Sequence, residues 1–334
     1  MFSRATIIGP SENAFIRGTS MAEVAKRKTV AKDPLEAVEK LNRSVQAKRR
    51  VKEEAAANDP VQLPMWDDDL RGVPNCLARG ALFTAIKADG SKREFYRGKE
   101  IATLAGIDVS YRGEELRQDD YSVFLNILHF ARHYDLGKPI PFTAYQMLKE
   151  LGWSINTAEY AHLRECCERL LATSITVALP KMGGSQGFSG SLIQSFAWKD
   201  DGGKQLSQWQ VMLEPRIAAL FIDPLLSLMN PVERKAIGGR SPLAQWLHSF
   251  LCTHQKPFAI SVEKYYELSG SRTANMADFR ARLKLAFLKL VSVGFLESFE
   301  FRNDVVHVVR VPRRYPAPIF HRLPELEGQG SLQI

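Results

Sequence analysis

Apolar residues recur at helical spacing in two separate parts of the chain, and each part ends in alternating segments. In the first part, Val123, Ile127, Leu128 and Ala131 predict a helix over 118–134. A second helix is expected over 142–151, with Thr143 as its N-cap and Gly152 just past its end. Asn156 opens a third, with Tyr160, Leu163, Cys167 and Leu170 on one face. Three β segments follow, 174–179, 191–198 and 209–213, the first two joined by the glycine-rich stretch 183–190. Upstream, 80–88 reads as a short helix, and 93–96 and 100–104 as strands or sheet edges.

The pattern then returns. Residues 242–253 predict a helix carrying Trp246, Leu247, Phe250 and Leu251, and 261–268 a short one ended by Gly270. The longest periodic run is 275–293, where Met276, Phe279, Leu283, Phe287 and Leu290 line one face and Gly294 closes the helix. Segments 296–301 and 305–311 alternate about Arg302-Asn303-Asp304, a hairpin signal. Three helices and a hairpin, twice over, is the element order of the winged helix, a helix-turn-helix variant. The expected class is therefore α+β, with two tandem winged-helix domains, 78–215 and 241–312. Residues 216–240 are expected to link them, 61–77 to form a linker before the first, and 313–334 to form an irregular tail.

Residues 1–60 differ in character and are expected to form a flexible basic extension. Met1–Val30 has few large apolar residues and no sustained period, the mark of disorder. Residues 33–57 read as a helix, with Asp33 as N-cap, Pro34 at its first position and a thin stripe of Leu35, Val38, Leu41 and Val45. Such a stripe suits an exposed helix, or one that folds on a partner. Met21 offers an internal start.

Composition narrows the function. A length of 334 residues fits two domains, and a net charge of +8 invites a polyanionic partner. Half of that charge lies in the first 60 residues, so duplex binding must come from local basic faces. The four cysteines lack the spacing of a disulfide framework or a zinc site. No apolar run approaches the roughly 18 residues of a membrane span, and no secretory leader is visible, so a cytoplasmic protein is expected. No phosphate-binding G-x4-G-K-[ST] loop occurs, and His129 and His133 lack the glutamate of a zinc-protease helix. No His-x-His suggests the metal of a nickase. The chain is accordingly expected to be no enzyme and to need no cofactor or metal.

A helix that enters the major groove needs one apolar face for its own core and long polar side chains elsewhere. The 275–293 helix meets this with Arg280, Arg282, Lys284 and Lys289, while Arg272 and Asn275 stand at its N-terminal end, where a phosphate is favoured. A solvated basic face reads the same way. On the 156–172 helix, His162, Arg164 and Arg169 alternate with Glu159, Glu165 and Glu168, which fits light base reading or a protein contact. Lys181 in the first wing and Arg310 after the second are further candidates for DNA contact.

One segment is out of place in a polar linker. Gln62-Leu63-Pro64-Met65-Trp66 is similar to the short motif by which bacterial replication proteins dock on the polymerase sliding clamp. Leu63, Met65 and Trp66 would fill pockets, and Gln62 would supply amide hydrogen bonds. The same residues could equally pin the linker to the protein's own first domain. Pro64 and the Met-Trp ending depart from the motif.

The chain as a whole resembles the TrfA family of IncP-type, iteron-binding plasmid replication initiators. The resemblance covers about residues 61–312. It rests on Gln62–Trp66 with Pro74-Asn75, Ala81-Leu82-Phe83 with Ile86, Gly113 with Leu116, Gln118 and Asp120, Leu128-His129 with Ala131-Arg132, Leu136-Gly137, Phe142-Thr143-Ala144, Leu151-Gly152, and Ala244–His248. It implies binding of double-stranded origin DNA at direct repeats, opening of an adjacent A·T-rich region with contact to its single strand, and recruitment of the host replicative helicase and the clamp. It also implies self-association into dimers inactive for initiation. A winged-helix transcriptional regulator is the alternative that the fold alone allows.

Overall fold

The computed structural model describes residues 61–87, 92–104, 108–178, 187–199, 202–221, 225–254, 257–312 and 315, all within one unit, Pro60–Ile334. The expected helix at 33–57, Lys181, and the tail apart from Tyr315 lie outside the described residues. In chain order the elements are β1 (Arg71–Pro74), α1 (Asn75–Ala78), β2 (Phe83–Thr84), β3 (Phe95–Ile101), β4 (Asp108–Glu114), β5 (Leu116–Arg117), α2 (Gln118–Ala131), β6 (Ile140–Phe142), α3 (Ala144–Leu151) and α4 (Thr157–Leu171). There follow β7 (Ser174–Ala178), β8 (Gly187–Gly190), β9 (Ser195–Lys199), β10 (Gln205–Met212), a 3₁₀ segment (Pro215–Phe221), β11 (Leu226–Met229), α5 (Pro231–Ile237) and α6 (Pro242–Cys252). The chain continues with β12 (Ile260–Ser261), α7 (Val262–Ser269), α8 (Met276–Ser292), β13 (Leu296–Arg302) and β14 (Val305–Arg310). The class is α+β.

The repeat expected from the hydrophobic pattern has the same local chemistry in both places. Thr143 caps α3 by accepting from the Gln146 amide at 3.0 Å, and Ser261 caps α7 by accepting from Lys264 at 3.1 Å. Asn156 and Asn275 cap the long helices α4 and α8. Gly152 and Gly270 end the short helices with φ of 71° and 61°, a conformation that costs a residue with Cβ more than glycine. Each repeat closes a three-stranded antiparallel sheet, β6-β10-β9 in the first and β12-β14-β13 in the second.

Three readings of the sequence need correction. Residues 80–88 hold no helix among the described positions. Gly80 forms a bridge with Thr103, so close that a Cβ at Gly80 would sit 2.5 Å from the Ala102 carbonyl oxygen, and β2 pairs parallel to β5. The segments 174–179 and 191–198 are not partners. β7 pairs with β8 and with β4, while β9 pairs with β10, so the hairpin of the first repeat is β9–β10. Gly187–Gly190 belongs to the other sheet, β3-β4-β7-β8, whose inner face buries Val109, Tyr111, Ile175, Val177 and Phe188. Finally, both stretches expected as linkers send described residues into the core: Leu63, Leu70, Val73 and Leu77 of 61–77 are buried, and 216–240 does the same. Ile217, Ala218, Leu220 and Phe221 are fully buried, and β11 pairs with β1.

Arg234, on α5, fastens the two repeats together. Its buried guanidinium donates to Ser122 Oγ at 2.9 Å and to the Gln118 carbonyl and side chain at 3.1 and 3.0 Å, all on α2. It also donates to the Gln245 carbonyl at 3.1 Å and Ser249 Oγ at 2.9 Å on α6. No carboxylate is among these partners, and burial brings its pKa down to about 10.

Candidate nucleic-acid interface

α8 packs Phe279, Leu283, Ala286, Phe287 and Leu290 inward, against α6, α7 and β13. Its N-cap Asn275 is exposed and accepts from the Ala277 amide at 2.8 Å. Arg280, Arg282 and Lys284 are exposed, and Lys289 is half-buried in the last turn. Arg280 lies 5.4 Å from the Phe301 ring and pairs with Asp304 at the hairpin turn, which links α8 to the β13–β14 hairpin. That turn has two left-handed residues, Asn303 (φ 46°) and Asp304 (φ 61°), as a two-residue β-hairpin requires.

The other basic candidates are placed differently. Arg272 pairs with Glu94 at 3.0 Å and Glu115 at 2.5 Å, and donates to Tyr96 at 3.2 Å, so it joins the second repeat to the first. Arg310 donates to the Leu251 and His254 carbonyls at 3.0 and 2.8 Å, closing the C-terminal end of α6. On α4 the cations turn inward. Arg169 donates to Asp120 at 2.9 Å, and His162 meets Asp119 at 3.2 Å and stacks on Trp153. Arg164 lies 4.7 Å from the Trp198 ring. The reason is α2, which presents two acidic residues to the helix packed on it. The charged residues that α4 exposes are Glu165 and Glu168.

This cluster has defined electrostatics. The hydrogen bond that His162 donates to the Asp119 carboxylate raises the pKa of His162. Burial works against the Asp119 carboxylate, but His162, Arg93 and Arg169 outweigh it and hold it well below the usual carboxylate range. Asp119, His162 and Cys166 offer ligand atoms within 4.8 Å of one another. Arg169 donates to Cys166 Sγ at 3.2 Å and Arg93 to Asp119 at 2.8 Å. With two guanidiniums already in place, the donor set suits an ion-pair network better than a metal ion.

The pentapeptide lies against the first repeat. Leu63 and Trp66 are buried, whereas Gln62 and Met65 are half-buried. Trp66 stacks on Phe221 with ring centroids 6.5 Å apart, and its indole N–H donates to His129 Nδ1 at 3.4 Å. Gln62 donates to Asp135 at 2.8 Å. Of the two uses read from the sequence, this conformation displays the pinning one.

Two residues were missed. Arg240 is exposed where two grooves meet, one of about 560 Å³ along the N-terminal end of α4 and one of about 750 Å³ along that of α8. Leu285 is 66 % exposed in the middle of α8. Neither carries a local signal, since Arg240 stands in a Gly-Gly-Arg-Ser loop and Leu285 lies off the apolar stripe of its helix.

A family description, TrfA protein, matches residues 23–310. The chain belongs to the TrfA family. One relative, the plasmid replication initiator protein TrfA of Escherichia coli, is 30% identical over 300 residues, covering 88% of this chain and 75% of the relative. The coarse function is accordingly initiation of plasmid DNA replication. Among solved structures, a crystal structure of domains 2 and 3 of RctB is similar, with a TM-score of 0.45 and 12% identity over 74% of this chain and 95% of that one. A second RctB structure, of residues 155–483, gives 0.43 and 12% over 69% and 95%. No helix among the described residues is long and apolar enough to cross a membrane.

Proposed function

We propose that this member of the TrfA family binds directly repeated sites in a plasmid origin, with its two repeats acting as winged helices. In this reading it opens the adjacent A·T-rich stretch and brings the host helicase and sliding clamp. The observation that carries the reading is the doubled sheet. β6-β10-β9 and β12-β14-β13 have the same strand order, and each holds a short and a long helix between its first two strands in sequence. That arrangement sets a long helix beside a two-stranded wing, which suits entry into a major groove.

The duties of the repeats differ. α8 offers Arg282 and Lys284 to the duplex, while α4 offers Glu165 and Glu168, which repel phosphate and suit a protein contact, including self-association. Clamp docking through Gln62–Trp66 requires that segment to leave the first repeat. The test is footprinting of the full chain on the origin of its own plasmid. Protection of direct repeats is expected, and no preference for them over random duplex overturns the reading.

A further inference from the structure

At about 100° per residue, the row of α8 that points directly away from its core is not the arginines. It is Ala277, Ala281, Leu285, Leu288 and Ser292, all exposed. Leu285 is 66 % and Leu288 47 % exposed. Arg280 and Lys284 run along one flank of this row, and Arg282 and Lys289 along the other. Asp278 sits in the first turn, where the helix dipole favours it and where it can accept from a cytosine amine.

An apolar ridge between two cationic flanks has a specific complement: a surface anionic at both edges and apolar along its floor. The major groove is such a surface. Its phosphate strands stand about 12 Å apart, and thymine puts a C5 methyl on the floor. A protein partner would need carboxylates on both sides of an apolar strip.

We propose that α8 reads thymine by apolar contact, with Leu285 and Leu288 against C5 methyls and the small Ala281 allowing the helix to approach. The flanking cations then grip the phosphates and carry little sequence information. This rests on α8 entering the major groove, as in the proposed function.

The experiment uses the full chain and a duplex recovered by selection from a random pool, made once with thymine and once with uracil at the protected positions. Wild type should bind the uracil duplex more weakly, by about fourfold for each methyl lost. Leu285→Ala should bind the thymine duplex more weakly and lose part of the preference for it, and Leu288→Ala should behave likewise. Both positions are exposed, so thermal melting should be unchanged. Equal binding of both duplexes by wild type overturns the inference, as does full thymine preference in both variants. A variant that binds DNA like wild type but sediments as a smaller species makes the ridge a protein contact and also overturns it. Those outcomes leave the origin-binding reading standing, whereas enrichment of no sequence from the pool overturns both.

Discussion

Gly72 is the position from which the docking of the pentapeptide can be tested without touching it. A Cβ built there lies 2.7, 2.8 and 2.9 Å from three ring carbons of Trp66. The indole is wedged between Gly72 and Phe221, so Gly72→Ala must push it outward. Overpacking of this kind costs about 1–3 kcal/mol. Trp66→Ala removes the ring, its stacking and its bond to His129, for about 3–5 kcal/mol. In the double variant the alanine methyl projects into the space left by the indole, so the penalty of Gly72→Ala should largely disappear. Urea denaturation of the four proteins should therefore give a coupling of at least about 1 kcal/mol. Strict additivity, or a Trp66→Ala cost below about 0.5 kcal/mol, would show that the segment is not held as described. The same energy bears on the clamp. If docking is worth about 4 kcal/mol, a clamp that must first free Trp66 loses about a thousandfold in affinity. Gly72→Ala should then weaken the fold and strengthen clamp capture.

Other perturbations separate structural from functional cations. Arg234→Ala should destabilise by about 3–5 kcal/mol in urea titrations, through its cavity and lost hydrogen bonds. Arg234→Met should cost about half as much, because Ser122 and Ser249 keep their own helix carbonyls at 2.8 and 3.2 Å. Arg282→Ala and Lys284→Ala should weaken origin binding in anisotropy titrations by roughly 1–3 kcal/mol where a base is read, less at a phosphate, with thermal melting unchanged. Arg169→Ala should do the reverse, since buried Asp120 loses a partner at 2.9 Å. Burial, with Arg71 and Arg132 close by, brings the pKa of His129 down to about 2. Its contribution is present above about pH 6.5 and is lost as pH falls, roughly 2 kcal/mol by pH 5, so His129→Gln should flatten the acid limb of stability against pH. His162 has the opposite sign. Its raised pKa gives stability that is complete below about pH 6.5 and lost as pH rises through the folded value, so wild type should exceed His162→Gln by more at pH 5.5 than at pH 8.5.

What the sequence revealed follows the range of each interaction. Thr143, read as an N-cap, and Asn156, Ser261 and Asn275, read as helix starts, act within three residues of themselves, and all four accept from their own helices. The pairing of β1 with β11, and of β7 with β4, joins segments far apart in the chain. Nothing in either segment names its partner, so the local pattern joins 174–179 to 191–198 and makes 216–240 look like a linker. The outer row of α8 was hidden for another reason. Polar side chains on the flanks are the stronger signal, and two leucines off the apolar stripe carry none of their own.

The contrast between α4 and α8 turns on their neighbours rather than on themselves. α4 carries His162, Arg164 and Arg169, α8 carries Arg280, Arg282 and Lys284, and each helix packs on the first helix of its repeat. α2 carries Asp119 and Asp120 at its start, and these draw Arg169 and His162 inward. α6, the equivalent helix, reads PLAQWLHSFLC and has no carboxylate. With no acid beneath it, α8 has nothing on α6 to turn its cations inward, and Arg282 and Lys284 stay at the surface. The contrast in exposed charge between α4 and α8 is therefore written in the helix each one packs against, and α4 and α8 read alone do not reveal it.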